Sequence, residues 1–222
     1  MPENASLTMK PRAPRQFSQL GVLVLDGSGS MTEMTSGNIT KAQATAVATR
    51  DLFSRLKASG VAQNFLISLI TYDDHPTRVI DPPATVEQLD LHADYDPTKG
   101  HGDGTKIHRA LEEAERVVAD YLAQAPPEGV DHSAVILLMT DGLCNEPDRT
   151  REVARRMQER FSPKLTIAAA FFAASGKADP DGERLLRDIV TQPKFFSTVA
   201  TAEALREFFK ATLSQTSGVA IY

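Results

Sequence analysis

Asp26, Ser28 and Ser30 lie at alternate positions of Asp26-Gly27-Ser28-Gly29-Ser30, directly after the apolar run Leu20-Gly21-Val22-Leu23-Val24-Leu25. A buried strand over that run delivers Asp26 to the edge of a sheet. Gly27 and Gly29 let a tight loop fold the two hydroxyls back toward the carboxylate. One charged and two neutral oxygens around a small volume suit a hard divalent cation. Asp, Gly and Ser are equally the ordinary residues of turns, so this segment alone leaves both readings open.

Two further oxygen-rich segments occur downstream. His101-Gly102-Asp103-Gly104-Thr105 opens a helical pattern, and Thr140-Asp141-Gly142 closes the apolar run Ala134-Val135-Ile136-Leu137-Leu138-Met139. That run has no polar alternation, as expected of a strand covered on both faces of a parallel sheet. The other candidate strands are Gln19–Leu25, Phe65–Tyr72, Leu165–Phe172 and Phe195–Val199, with a short Thr77–Ile80. Thr77–Ile80 follows its predecessor too closely for a crossover helix and is expected to pair antiparallel.

Helical patterns fill the intervals. Asn38–Lys57 spaces Ala44, Ala48, Leu52 and Leu56 by four residues, and Thr105–Leu122 carries an apolar stripe opposite Glu112, Glu113, Glu115 and Arg116. Asp148–Phe161, Asp181–Val190 and Ala202–Leu213 complete the set. The alternation predicts an α/β, Rossmann-like, doubly wound and mostly parallel sheet of about six strands, with one short antiparallel edge strand and helices on both faces. In such a sheet ligands sit beyond the carboxyl ends of the strands, where the strand order reverses. The three oxygen-rich segments converge at that edge. Asp81–His101, with three prolines, reads as the longest irregular connection.

The order and spacing of these residues resemble those of von Willebrand factor type A domains over roughly residues 18–213. The family's metal-ion-dependent adhesion site is Asp-x-Ser-x-Ser, then a distant Thr, then a distant Asp. Asp26, Ser28, Ser30, Thr105 and Asp141 match those five positions. The resemblance implies that both serines and the threonine coordinate Mg²⁺, Mn²⁺ or Ca²⁺ through their hydroxyls. It implies that the aspartates act through bound water, and that a partner protein supplies a carboxylate to the ion. Gly27 falls at a variable position of the pattern. The compact layout is similar to the tellurium-resistance TerY-like proteins, which implies a bacterial stress-response or conflict system and a kinase or phosphatase partner. An AAA-type ATPase is a further partner implied by the family.

Composition bounds the remaining choices. The 222 residues suit one large domain or two small ones, and a domain of that size is expected to bury about 70–75% of its unfolded surface. With 24 Lys plus Arg against 29 Asp plus Glu, the net charge of −5 provides no electrostatic footprint for nucleic acid or an anionic membrane. A single cysteine, Cys144, agrees with a reducing, cytoplasmic setting. Residues 1–16 read as a flexible leader without signal-peptide layout, 17–214 as the domain, and 215–222 as a short, loose tail.

Other polar groups have plainer readings. Asp103 is expected to cap the helix beginning near Thr105. Tyr72-Asp73-Asp74-His75 reads as a solvated turn, His108 as an exposed helix position, and Cys144 as a small loop residue. His101, in the glycine-rich loop, is open to either reading. The Arg149, Arg151, Arg155, Arg156 and Arg160 face, interleaved with Glu152 and Glu159, reads as a solvated surface. No enzyme is expected. A Mg²⁺-dependent phosphohydrolase with Asp26 as nucleophile is the alternative, but its usual second aspartate is replaced by Ser28. Gly-x-Ser-x-Gly and nucleotide-binding glycine loops do not occur.

Overall fold

The computed structural model describes residues 17–35, 37–173 and 179–222. The expected leader, residues 1–16, lies outside them. In chain order the elements are β1 (Phe17–Asp26), α1 (Lys41–Ala58), β2 (Phe65–Tyr72), β3 (Pro76–Thr85), α2 (Ile107–Leu122), β4 (Asp131–Thr140), α3 (Pro147–Phe161), β5 (Leu165–Phe172), α4 (Pro180–Ile189), β6 (Phe196–Val199) and α5 (Ala202–Ser217).

These strands form one sheet in the order β3-β2-β1-β4-β5-β6. Every neighbouring pair is parallel except β2–β3. The chain winds outward from β1 through β2 to β3, then returns across β1 and winds the other way through β4, β5 and β6. The switch in order therefore lies between β1 and β4, and their carboxyl ends flank a crevice suited to a ligand.

Hydrophobic burial holds these two strands at the centre. Val22, Leu23, Val24 and Leu25 of β1 and Val135 through Met139 of β4 are all fully buried. Helices on both faces explain why neither strand alternates apolar with polar. α1 packs against α5, α2 against α3, and α3 against α4. Gly21 permits close packing on β1, since a Cβ there would stand 3.1 Å from Ile67 Cδ1 and 3.7 Å from Leu213 Cδ2.

Several boundaries differ from the sequence reading. β3 has ten residues rather than four, and takes Pro82 and Pro83 into the sheet. An edge strand tolerates prolines because one side of its backbone has no ladder to complete. Its pairing with β2 shifts register at Ile67/Leu69 and Leu69/Ile70. The long connection beyond it is pinned by buried Leu89 and Tyr95, the latter edge-on to Phe53 at 5.3 Å. α1 starts at Lys41, where Thr40 and Gln43 form a reciprocal capping box. α5 continues through Ser217, and Ile221 is buried in the core, so the segment after residue 214 is docked rather than loose. Gly218, at φ 72°, supplies the left-handed turn that ends α5 and returns the chain to the core.

Stability should thus depend on the β1–β4 core more than on the loops. Leu23→Ala is expected to cost about 2–5 kcal/mol, the range for truncating a buried leucine. Urea unfolding followed by circular dichroism measures it.

Candidate metal centre

β1 carries Asp26 to its last position, beside Tyr72 of β2 and one residue beyond the Leu25–Met139 pair with β4. The Asp26 side chain has no solvent exposure. Its Oδ1 accepts the Ser28 amide at 2.8 Å, and its Oδ2 accepts the Thr140 hydroxyl. Burial pushes the Asp26 carboxyl up to about 6 against the hydrogen bonds from Thr140 and Ser28, and the nearby Asp141 charge pushes the same way. A carboxylate in this position lacks a counter-charge of its own.

The hydroxyl groups gather next to it. Ser28 Oγ lies 3.1 Å from Ser30 Oγ, and Ser30 Oγ donates to Asp141 Oδ1 at 2.7 Å. With its proton committed to Asp141, the Ser30 oxygen has lone pairs for an electrophile. Thr105 arrives from the loop before α2. Its amide donates to Asn145 Oδ1 at 2.6 Å, and its carbonyl accepts the Asn145 amide at 3.0 Å. Gly142 stands between the hydroxyls: a Cβ there would lie 3.6 Å from Ser30 Oγ and 4.0 Å from Thr105 Oγ1. The five sequence-predicted residues are thus brought to one edge, four through direct contacts and Thr105 across Gly142.

The donor set fits a hard cation. Two cis ligands of an octahedral Mg²⁺ with bonds of about 2.1 Å stand about 3 Å apart, close to the Ser28–Ser30 oxygen separation. Among the described residues no three His, Cys, Asp or Glu side chains form a metal-holding group. A cation here therefore relies on the hydroxyls.

Close packing of loops holds these candidate ligands in place. A Cβ on Gly27 would fall 2.1 Å from the Pro97 carbonyl oxygen, so the position taken as variable admits only glycine without moving the 97–101 backbone. Asp73 is buried rather than part of a solvated turn. It accepts the amides of His75, Gly102 and Asp103 at 2.8, 3.1 and 3.3 Å, while His101 Nδ1 stands 3.1 Å from its Oδ1. His101 Nε2 is 3.0 Å from Thr71 Oγ1, which makes that histidine a strut. Burial alone would raise the Asp73 carboxyl, but the hydrogen bonds from His75, His101, Asp103 and Gly102 hold it at about 2.

Two expectations fail around α2. Asp103 does not cap α2, whose first residue is Ile107 and whose cap position, Lys106, makes no side-chain capping bond. Asp103 instead joins the loop to Gly29, whose amide reaches the Asp103 carbonyl. His108 is fully buried rather than exposed, and burial lowers its pKa. Its Nε2 stands 3.9 Å from Glu146 Oε2, at the residue before α3. Cys144 is buried with its Sγ 3.2 Å from Thr150 Oγ1. On α3, Arg156 and Arg160 are partly exposed and both pair with Glu115 of α2.

Lys41 was not singled out in the sequence. Its Nζ lies 2.6 Å from both Asp141 Oδ2 and Glu33 Oε2. Burial opposes its charge, and the bonds to Asp141 and Glu33 more than offset this, so its pKa is raised. A usable signal did exist: a lysine at the first position of a helix opposes the macrodipole and calls for acidic company.

The von Willebrand factor type A domain model matches residues 22–211. The chain belongs to this family. Among solved structures, the fold is similar to the vWF domain of the type V pili tip protein Mfa5 from Porphyromonas gingivalis, with 14% identity, a TM-score of 0.67, and coverage of 93% of this chain and 97% of that one. A von Willebrand factor type A protein from Catenulispora acidiphila gives 17% identity and a TM-score of 0.65 over 90% of this chain and 43% of that one. The pilus adhesin SpaC from Lactobacillus rhamnosus GG, in its open conformation, gives 11% identity and a TM-score of 0.69 over 90% of this chain. This chain spans 30% of SpaC's length. At these identities the likeness is one of fold. No curated protein matches the sequence. No helix among the described residues is long and apolar enough to cross a membrane.

Two predictions follow from the von Willebrand factor type A domain's charge arrangement. The Asp26 carboxyl is raised in the fold, so its contribution to stability is complete below the unfolded value near 4 and is lost as pH rises through about 6. In chelator, Asp26→Asn should therefore be more stable than wild type at neutral pH by about 2–3 kcal/mol, with the gap closing toward pH 4. Urea unfolding across that pH range tests the sign. Asp73→Asn removes no candidate ligand but loosens the Gly102–Thr105 loop. It should weaken Mg²⁺ binding about three- to tenfold, on the scale of one ordinary hydrogen bond, as read by calorimetry.

Proposed function

We propose that this von Willebrand factor type A domain is a divalent-cation-dependent protein-binding module. The observation that carries the reading is the convergence of the Ser28 and Ser30 hydroxyls with Asp141 beside Thr105, above a buried and uncompensated Asp26. Ser28, Ser30 and Thr105 would hold Mg²⁺, Mn²⁺ or Ca²⁺, with Asp26 and Asp141 behind them. The bound ion supplies an electrophile for an anionic partner group.

The residues define what that partner must offer. Both Asp26 oxygens are engaged by Ser28 and Thr140, and both Asp141 oxygens by Ser30 and Lys41. The aspartates act as hydrogen-bond acceptors that orient the hydroxyls and balance charge. Neutral hydroxyl ligands leave a cation largely uncompensated, so an incoming carboxylate gains Coulomb energy at the open side of the site. Asp103 stands exposed in the loop before Thr105, and its charge repels an acidic partner until a cation is present.

The role in the cell is an adaptor or regulatory one in this reading. A TerY-like setting, in a bacterial stress-response or conflict system with a kinase, phosphatase or AAA-type ATPase partner, accords with the domain's layout. A binding role also accords with the likeness in fold to the pilus adhesin SpaC. Catalysis is not part of the proposal. Asp26 has no exposed surface and no free oxygen, so it is poorly placed to attack a phosphoryl group.

Calorimetry should detect Mg²⁺ binding with a Kd on the order of micromolar to millimolar, as for exposed oxygen sites. Asp26→Ala should abolish it while retaining the circular dichroism spectrum of the folded protein, and Ser28→Ala and Thr105→Ala should weaken it. Absence of divalent binding in the wild-type protein would overturn the proposal.

A further inference from the structure

Among the described residues, the exposed large hydrophobic side chains are Met34, Val79, Leu143 and Tyr222. Val79 lies on the edge strand β3 and Tyr222 at the carboxyl end. The other two lie in the loops that carry the candidate metal ligands. Met34 follows Ser30 by four residues and is 56% exposed. Leu143 follows Asp141 by two and is 53% exposed.

Neither side chain is presented by a slack loop. Met34 forms an isolated antiparallel bridge with Thr40. On either side of it, the Lys41 amide donates to the Glu33 carbonyl at 3.0 Å and the Thr35 amide to the Ile39 carbonyl at 2.8 Å. Leu143 is the exposed point of a pinned turn. Before it, the Gly142 amide reaches Thr140 Oγ1. After it come buried Cys144 and Asn145, which is bonded twice to Thr105. The two loops are stitched together by one ammonium: Lys41 Nζ is 2.6 Å from both Glu33, the residue before Met34, and Asp141, two residues before Leu143.

We propose that Met34 and Leu143 form an apolar rim of the metal site, and that the rim selects a partner segment whose metal-binding carboxylate is flanked by aliphatic side chains. This rests on the proposed cation-dependent contact and specifies its ligand. Charge and apolar surface decide the occupant together. The cation demands an anion, while the exposed acid Asp103 rejects extra negative charge around it and Glu33, already paired with Lys41, offers none of the opposite sign. The partner's remaining contact surface must therefore be neutral, and the exposed methionine and leucine make apolar neighbours the favourable choice. Because both loops are pinned, docking orders few additional degrees of freedom and more of the buried apolar area appears as affinity. Met is adaptable and Leu is not, so the Leu143 side should discriminate shape more strictly than the Met34 side.

A displayed peptide library with a fixed central Asp or Glu and random flanking positions tests the idea on the whole protein. It is captured in Mg²⁺ and eluted with EDTA. The eluted pool should be enriched in Leu, Ile, Val or Met next to the acid. The resulting consensus peptide should bind the Met34→Ser/Leu143→Ser double variant about tenfold more weakly, or about 1.4 kcal/mol. Both positions are exposed, and the variant should keep the wild-type Mg²⁺ isotherm. Acid-dependent, EDTA-eluted peptides with unselected flanks would overturn the apolar rim alone, as would equal affinity for the double variant. A pool that EDTA fails to release, or no enrichment at all, would overturn the cation-dependent contact and the rim with it.

Discussion

A carboxylate with no access to water sits at the end of the most buried strand, and the loops at this edge are organised around it. Asp26 has no exposed surface, and no lysine or arginine among the described residues forms an ion pair with it. It is held by one amide and one hydroxyl, and burial still raises its pKa to about 6. Such a group opposes folding at neutral pH unless a positive charge comes near. The fold tolerates it because the rest of β1 and β4 is apolar and fully buried. A cation in the proposed site would supply the missing charge from just outside the sheet, where the hydroxyls of Ser28, Ser30 and Thr105 face.

The second aspartate is treated differently. Asp141 also has a fully buried side chain, yet it has Lys41 as a permanent counter-ion. The two carboxylates at one edge are therefore unequal, one compensated within the chain and one not. This inequality keeps the metal-free site from carrying two uncompensated charges. It also limits how much positive charge the site can attract, since the Lys41 ammonium already occupies one side of Asp141. The loop network has a similar logic. Asp73 collects three amides and a histidine to hold the Thr105 loop, and Gly27 lets that loop's neighbour come within contact of the Asp-x-Ser-x-Ser turn. Hydroxyl ligands are weak individually, so their value depends on being fixed before the ion arrives.

Much of this was legible in the chain, and the limits have physical causes. Continuous apolar runs such as Val135–Met139 report burial on both faces, which only a central strand of a helix-covered sheet provides. The alternation of strand and helix then places the sheet's switch point beside Asp26 and Asp141. The five candidate ligands could be read because each ends an element or opens one. β3 was read short because prolines break a strand pattern, although an edge tolerates them. His108 and Asp73 were misread because polarity was taken for exposure. Both are buried, and Asp73 is satisfied by partners roughly thirty residues away in sequence. The Lys41 contact crosses one hundred residues, and local pattern cannot see it. Gly27 gave no sign of its contact with Pro97, because nothing in a sequence marks what approaches a missing side chain.

The same separation between local and distant information bears on specificity. The candidate ligand oxygens lie in three loops whose ends are fixed by the sheet, so their placement follows from the fold. Met34 and Leu143 have no such obligation. Neither closes the core or caps a helix, and each is set on a turn held by bonds that its own side chain does not make. Substituting them should leave the fold and the cation chemistry intact and alter only what can lie across the site. Residues of this kind, rigid in position and free in identity, allow one metal-centred scaffold to accept different partners. In this chain they are aliphatic, which ties an electrostatic attraction that any acid could satisfy to a shape and polarity that few acidic segments have.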